Sequence, residues 1–212
     1  IIERKCIMAL WLITDTHFGH NNMVHLCGRP QNFTRLIMDN WRKMVANTDT
    51  IIHLGDVAWG DEMLAKVKHL PGNKILVRGN HDKKDYGLYY QAGFSFVCEE
   101  TVLRLNGLQI LLSHHPHYGH TYDLNIHGHQ HDLYRDSDAQ LFVPLALETQ
   151  GYAPLLVGEE LLRTLRSWSD LFKAYGQVPT LNQLKDIGPD PLSEVRERDR
   201  VGTPQTHILP PE

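Results

Sequence analysis

The 212-residue chain carries 14 histidines, and seven of them (His114, His115, His117, His120, His127, His129 and His131) fall within the 18 residues from 114 to 131. Surface decoration would scatter them. Imidazole gathered in this way suits metal ligation or proton transfer. Short groupings of ligand-type side chains recur along the chain: Asp15-Thr16-His17, Gly55-Asp56, Gly79-Asn80-His81-Asp82, Ser113-His114 and Gly128-His129-Gln130-His131. In an extended segment, Asp15 and His17 leave on the same side and form a metal clip. Each grouping alone has an ordinary reading. Asp and Gly are turn residues, and Asn-His-Asp can cap a following helix. Together, with G-H-x-H at metal-ligand spacing, they read as one centre.

The elements needed to position them are visible in the hydrophobic pattern. Apolar, β-rich runs occupy 9–14, 50–54, 74–78, 101–105, 108–113, 123–127 and 141–147, and every ligand grouping follows one of them. A helical stripe of Phe33, Leu36, Ile37, Trp41, Met44 and Val45 separates the first two runs, and residues 61–70 form a second helix. In open α/β sheets, ligands bind outside the carboxyl ends of the strands, where sequence-distant loops converge. Asn106-Gly107 marks a hairpin, so the later strands are expected to be antiparallel after a βαβ beginning. The predicted architecture is a layered α/β sandwich. Leu161, Leu162, Leu165, Trp168, Leu171 and Phe172 predict a helix over 159–175 that packs on the core, or alternatively covers the active-site side or mediates dimerisation. The expected organisation is a domain over 1–158, with 1–7 ahead of Met8 as a candidate extension, a helical appendage over 159–187 and a loosely docked tail over 188–212.

Composition bounds the function. At 42% hydrophobic and 22% charged, the chain suits one domain with a substantial core. Its longest apolar run, Ile7 to Ile13, is far short of the roughly 20 residues that span a membrane. The opening IIERKCIMALWLI resembles a secretion signal but has no small-residue cleavage site, and reads as the first strand. A net charge of −4, without a Lys/Arg stripe, counts against gripping a long nucleic acid. Cys6, Cys27 and Cys98 are odd in number and widely spaced, which fits a reducing, cytoplasmic setting.

In succession, D-x-H, G-D, G-N-H-D, S-H and G-H-x-H resemble the calcineurin-like metallophosphoesterase superfamily over about residues 9 to 157, and GYAPLLV (151–157) is similar to that family's closing strand. The resemblance implies a four-layered α/β/β/α sandwich and a two-metal centre that cleaves phosphate esters. It implies that Asp15, His17 and His131 hold one metal, that Asp56 bridges, and that Asn80, His114 and His129 hold the other, with His81 outside the ligand set. His115 competes with His114, which is preferred because it directly follows the strand.

The chemistry of the residues agrees with those roles. Two divalent cations roughly 3.5–4 Å apart need a shared carboxylate to lessen their repulsion. Mixed nitrogen and oxygen donors without thiolate suit Mn²⁺, Fe, Zn²⁺, Ni²⁺ or Co²⁺ rather than an all-oxygen Ca²⁺ or Mg²⁺ cage. Water held between such ions becomes hydroxide near neutral pH, and His81, beside Asn80, is the candidate acid for the leaving alkoxide. The two cations supply +4, Asp15 and Asp56 −2 and hydroxide −1, leaving about +1, which matches a phosphodiester monoanion. A monoester dianion usually calls for arginines as well. The chain reads GDVAWGD where the related serine/threonine protein phosphatases continue to an Asp-Arg pair. Arg78 either reaches a phosphate oxygen or is a solvated strand-end charge. His20 is placed at the entrance. His117 and His120 either touch substrate or are solvated loop histidines, and His127 faces away or supports a ligand. His25, His53, His69 and His207 read as structural.

The expected protein is a metal-dependent phosphoesterase, monomeric or homodimeric, acting on a small-molecule or nucleotide phosphodiester. A phosphomonoesterase or nuclease using the same centre is the alternative within this chemistry. A catalytically inert protein-binding scaffold is the rival of another class, disfavoured because the ligand set is complete.

Overall fold

The computed structural model describes residues 8–119, 121–131 and 141–175. The readings that concern residues 1–7, Cys6, His120, His207 and everything beyond residue 175 lie outside the described residues, as do the side chains of Leu171 and Phe172.

Two sheets flanked by helices form the molecule, as the α/β sandwich expectation requires. The first sheet contains β1 (Leu10–Ile13), β2 (Thr50–His53), β3 (Asn73–Val77), β4 (Phe94–Cys98) and β9 (Leu155–Leu156), in the order β4-β3-β2-β1-β9. Its first four strands are parallel, and β9 closes the edge antiparallel to β1. The second sheet runs β5 (Glu100–Leu105), β6 (Leu108–Ser113), β7 (Leu124–His127) and β8 (Phe142–Pro144). The helices are α1 (Met23–Leu26), α2 (Phe33–Met44), α3 (Asp61–Lys66, extended by a 3₁₀ turn over Val67–His69), α4 (Tyr86–Gln91) and α5 (Glu159–Tyr175).

Strand alternation separates two cores. Trp11 and Ile13 of β1 and Ile51 of β2 face the helices, joining Phe33, Ile37 and Trp41 of α2. Leu12 and Ile52 face the other way, into a core shared with Ile110, Leu112, Leu124, Ile126 and Val143 of the second sheet. Leu161, Leu162, Leu165 and Trp168 of α5 enter this inter-sheet core, so that helix is a packed element.

Antiparallel pairing is confined to the β5–β6 hairpin within the second sheet, which corrects the expected later half. There Asn106 and Gly107 take φ of 49° and 77°, as a type I′ turn requires. β6, β7 and β8 are mutually parallel. The signal lay in their composition: β7 is buried on both faces and β6 nearly so, and strands of that kind read as continuous apolar runs. Parallel pairing also sends the histidine-rich segments after β6 and β7 out of the same edge of the sheet.

Candidate metal centre

β1 and β2 stop at Ile13 and His53, yet their backbones continue to pair through the loops. Leu54 N–H donates to Ile13 O at 2.7 Å, Asp15 N–H to Gly55 O at 2.9 Å, His17 N–H to Asp56 O at 2.9 Å and Phe18 N–H to Val57 O at 3.0 Å. This ladder fixes the Asp15-Thr16-His17 clip against Asp56. The third loop is tied in by Asp82, whose buried carboxylate accepts from Asp56 N–H (2.7 Å), Val57 N–H (3.1 Å) and Gly79 N–H (2.9 Å). Glycine is required where these loops touch. A Cβ on Gly79 would lie 2.2 Å from Asp56 Oδ1, and one on Gly128 would lie 2.0 Å from Thr14 Oγ1 and 2.6 Å from Asp15 Oδ2.

All seven residues expected as ligands converge. His17 Nε2 and His131 Nε2 each stand 3.8 Å from Asp15 Oδ1. Asp56 Oδ2 lies 3.5 Å from His17 Nε2 on one side and 3.5 Å from His114 Nε2 on the other. Asn80 Oδ1 is 2.9 Å from His114 Nε2, and the His114 and His129 rings are 5.2 Å apart. His115 also approaches, with its ring 4.0 Å from His129, but it is exposed, whereas His114 is buried beside Asp56. His81 Nε2 lies 3.9 Å from Asp56 Oδ2, and its backbone N–H donates to Asp56 Oδ1 at 2.8 Å.

Divalent cations fit this arrangement. Asp15 is buried, and although its Oδ2 accepts from Thr14 Oγ1 (2.6 Å) and His129 N–H (2.9 Å), its Oδ1 has no hydrogen-bond partner. A buried carboxylate oxygen facing two imidazole nitrogens beyond hydrogen-bond range is costly unless a cation lies among them. The separations allow it, since two donors each about 2.1 Å from one ion lie at most about 4.2 Å apart. His114 shows the same need. Its Nδ1–H donates to Leu54 O at 2.7 Å, which leaves Nε2 presenting a lone pair to Asn80 Oδ1, two acceptors face to face.

Electrostatics hold two of the imidazoles in binding form. Burial, reinforced by the Arg29 charge, pushes His17 down to about 2. Burial and the neighbouring His115 and His114 push His129 down to about 4. Both imidazoles are therefore neutral at physiological pH, the state that ligates. Burial raises the Asp15 carboxyl, a shift that a cation would reverse. For His131, burial acts downward, but the hydrogen bond to Glu148 and the Asp15 charge outweigh it and the net shift is upward.

Three supporting residues escaped the sequence reading. Glu148 Oε1 lies 3.0 Å from His131 Nδ1 and orients that ring. Arg29, buried, reaches Glu148 Oε1 at 2.7 Å and donates to the carbonyls of Asp15 (2.8 Å) and Thr16 (3.2 Å). Asp82 is the third. Glu148 is 119 positions from Arg29, so no local spacing could reveal the pair. Asp82 was visible only as the end of G-N-H-D.

The remaining candidates sit as follows. His20 stacks on Trp59 with ring centroids 4.1 Å apart, and its ring is 5.7 Å from that of His17. Arg78 donates to Asp82 O (2.9 and 2.6 Å) and pairs with Glu99 at 2.9 Å, with its guanidinium 4.9 Å from the Tyr86 ring centroid. His117 pairs with Glu100 at 2.7 Å on an exposed loop. His127 is buried and donates to Gly128 O at 2.8 Å. His53 is structural, as expected. Gly55 N–H donates to its Nδ1 (3.1 Å), its Nε2–H meets Thr16 Oγ1 (2.9 Å), and that hydroxyl donates to Val57 O (2.7 Å).

Comparison with known proteins gives the chain a family. The profile of the calcineurin-like phosphoesterase superfamily domain matches residues 8–144, and the chain belongs to that superfamily. It is 30% identical over 138 residues to the uncharacterized protein MJ1445 of Methanocaldococcus jannaschii, covering 60% of this chain and 72% of that protein. It is 26% identical over 159 residues to the gene 66 protein of Mycobacterium phage L5, covering 57% and 76% respectively. Among solved structures, AQ665 from Aquifex aeolicus, a protein of unknown function, aligns with a TM-score of 0.58 at 29% identity, covering 70% of this chain and 95% of that one. Membership supports metal-dependent phosphoester hydrolysis. No helix among the described residues is long and apolar enough to cross a membrane.

Proposed function

We propose that the chain is a dinuclear metal-dependent hydrolase of phosphate esters, favouring a small-molecule or nucleotide phosphodiester. Asp15, His17 and His131 would hold one divalent transition ion and Asn80, His114 and His129 the other, with Asp56 shared. The observation that carries this reading is Asp56 Oδ2, 3.5 Å from one imidazole of each set. When bound, such ions acidify water and offset charge on the phosphoryl oxygens.

The chain's own residues supply the rest. His81, half-exposed, is near enough to Asp56 to meet the leaving oxygen and give it a proton. Asp56 holds the His81 backbone through Oδ1, and this couples acid placement to the ligand loop. The preference for a monoanion is supported by the arginines beside the centre. Arg29 and Arg78 are both committed to protein carbonyls and carboxylates, which among the described residues leaves the doubly charged monoester without forked donors beside the centre.

Metal-reconstituted protein assayed on bis-aryl phosphate, aryl phosphate and cyclic nucleotides tests the assignment. Asp56→Asn is expected to abolish turnover and deplete bound metal, and His81→Ala to lower turnover by about 10²–10⁴-fold with metal retained. Unchanged activity in both variants would defeat the assignment, and a faster rate on the monoester would overturn the diester preference.

A further inference from the structure

Three of the four tryptophans are buried: Trp41 at 0%, Trp168 at 7% and Trp11 at 8% exposure; Trp59 is 52% exposed. Unlike the comparably exposed Phe96 of the edge strand, Trp59 stands beside the proposed centre, where its flat face can meet a ligand. Trp59 lies in the loop after β2, three residues beyond Asp56. Its backbone is fixed, because the Trp59 main-chain N–H donates to Phe18 O at 2.8 Å and Ala58 bridges to Phe18. Its indole stacks on His20 at 4.1 Å with an interplanar angle of 7°, and its centroid is 5.9 Å from that of His81. His81 and His20 are in turn 5.6 and 5.7 Å from His17, so four rings run from the buried ligand to the solvent-facing indole. Among the described residues no further ring stacks on Trp59.

We infer that Trp59 is the stacking platform for a nucleobase carried by the alcohol of the phosphate ester. The inference rests on the proposed function for the placement of the phosphate. Exposure rises along the line from Asp56 (3%) to the His81 side chain (44%) to Trp59 (52%), so a substrate with its phosphorus at Asp56 and leaving oxygen at His81 extends its alcohol toward the indole. The His81 and Trp59 rings, 5.9 Å apart, touch, so the alcohol must run along them from one to the other. A phenyl ring bonded directly to the ester oxygen stays beside His81, whereas the ribose of a nucleoside carries the base onward to the indole face. Every base has a π-face, so the platform sets the class of substrate without choosing among bases.

Calorimetric titration of the full, Zn²⁺-loaded chain tests this with three non-hydrolysable, monoanionic ligands: the P-methyl 5′-phosphinate analogue of AMP, the matching analogue of ribose 5-phosphate, and benzyl(methyl)phosphinate. The adenosine analogue is expected to bind at least about 10-fold tighter than the ribose analogue, with most of the advantage kept in Trp59→Phe and almost none in Trp59→Ala. Its binding should also quench the fluorescence of the one exposed tryptophan. Equal affinities in the wild type, or an advantage that survives Trp59→Ala, overturns the platform. A Trp59-dependent gain of the same size for benzyl(methyl)phosphinate overturns the nucleoside assignment. Turnover plays no part in the titration. Protein that binds the adenosine analogue through Trp59 yet hydrolyses no phosphate ester defeats the hydrolase reading alone, and active enzyme without the Trp59-dependent gain defeats the platform alone.

Discussion

Four of the seven residues assigned to the cations, Asp15 (φ 50°), His17 (φ 44°), Asp56 (φ 58°) and His129 (φ 66°), stand in left-handed backbone. That conformation costs about 1–3 kcal/mol per residue, least for Asp, Asn and His, and persists only where the surroundings enforce it. Among the described residues only Asn106 and Tyr152 share it without being glycine, so strain is concentrated at the centre. The supporting side chains matter accordingly. Glu148→Gln is expected to weaken metal affinity by about 10–100-fold by loosening the His131 ring, measured by chelator competition, with circular dichroism unchanged. Gly128→Ala should lose metal more severely, because the new methyl displaces the Asp15 carboxylate; overpacking of this kind costs about 1–3 kcal/mol in stability, read from urea midpoints. The candidate ligands were legible because five such groupings recur at the ends of strands, although each alone reads as a turn or a cap. Arg29 and Glu148 were not, because an arginine and a glutamate far apart in sequence resemble ordinary surface charge until tertiary packing buries them together.

At the level of elements, the loops after β1, β2 and β3 are stitched to one another more than to their own strands. Removing the Asp82 carboxylate strands three N–H groups, those of Asp56 and Val57 buried and that of Gly79 partly so. Asp82→Ala should therefore destabilise the fold by roughly 2 kcal/mol or more and release metal, although Asp82 touches no cation in the assignment. Isotope-edited exchange at the Asp56, Val57 and Gly79 amides would show the loss locally. β1, β2 and β3 of the first sheet and the helices between them were readable from hydrophobic period. α4 and β4 were not: α4 is six residues long, held at its start by Asp85 accepting from Gly87 N–H, and β4 is an edge strand whose Phe94-Ser95-Phe96 run has its second Phe 53% exposed. Short elements whose apolar residues face water carry no periodicity to detect. The parallel course of β6 to β8 was obscured for a different reason. The hairpin signal at Asn106-Gly107 is local and correct, but it determines only the one pairing it closes.

For the molecule as a whole, the acid limit of stability follows from histidines held neutral in the interior. Burial lowers His53 to about 3, with the His114 charge adding to the effect. Because the folded value lies below the unfolded one of about 6.5, the unfolded chain takes up the proton first, and the contribution to stability is complete above that value and lost as pH falls from 6.5 toward 3. At pH 5 the loss attributable to His53 is about 2 kcal/mol, so metal-free protein should show a clearly lower urea midpoint at pH 5 than at pH 7.5, with an unchanged slope. The mutual bracing of the three loops has a consequence for engineering. Because Asp82 on one loop grips amides of another, and a Cβ at Gly79 would strike Asp56, these turns are not interchangeable cassettes. A graft of the β2 turn into a homologous scaffold would arrive without its clasp, and only a transplant that carries both turns together is expected to reconstitute a working centre.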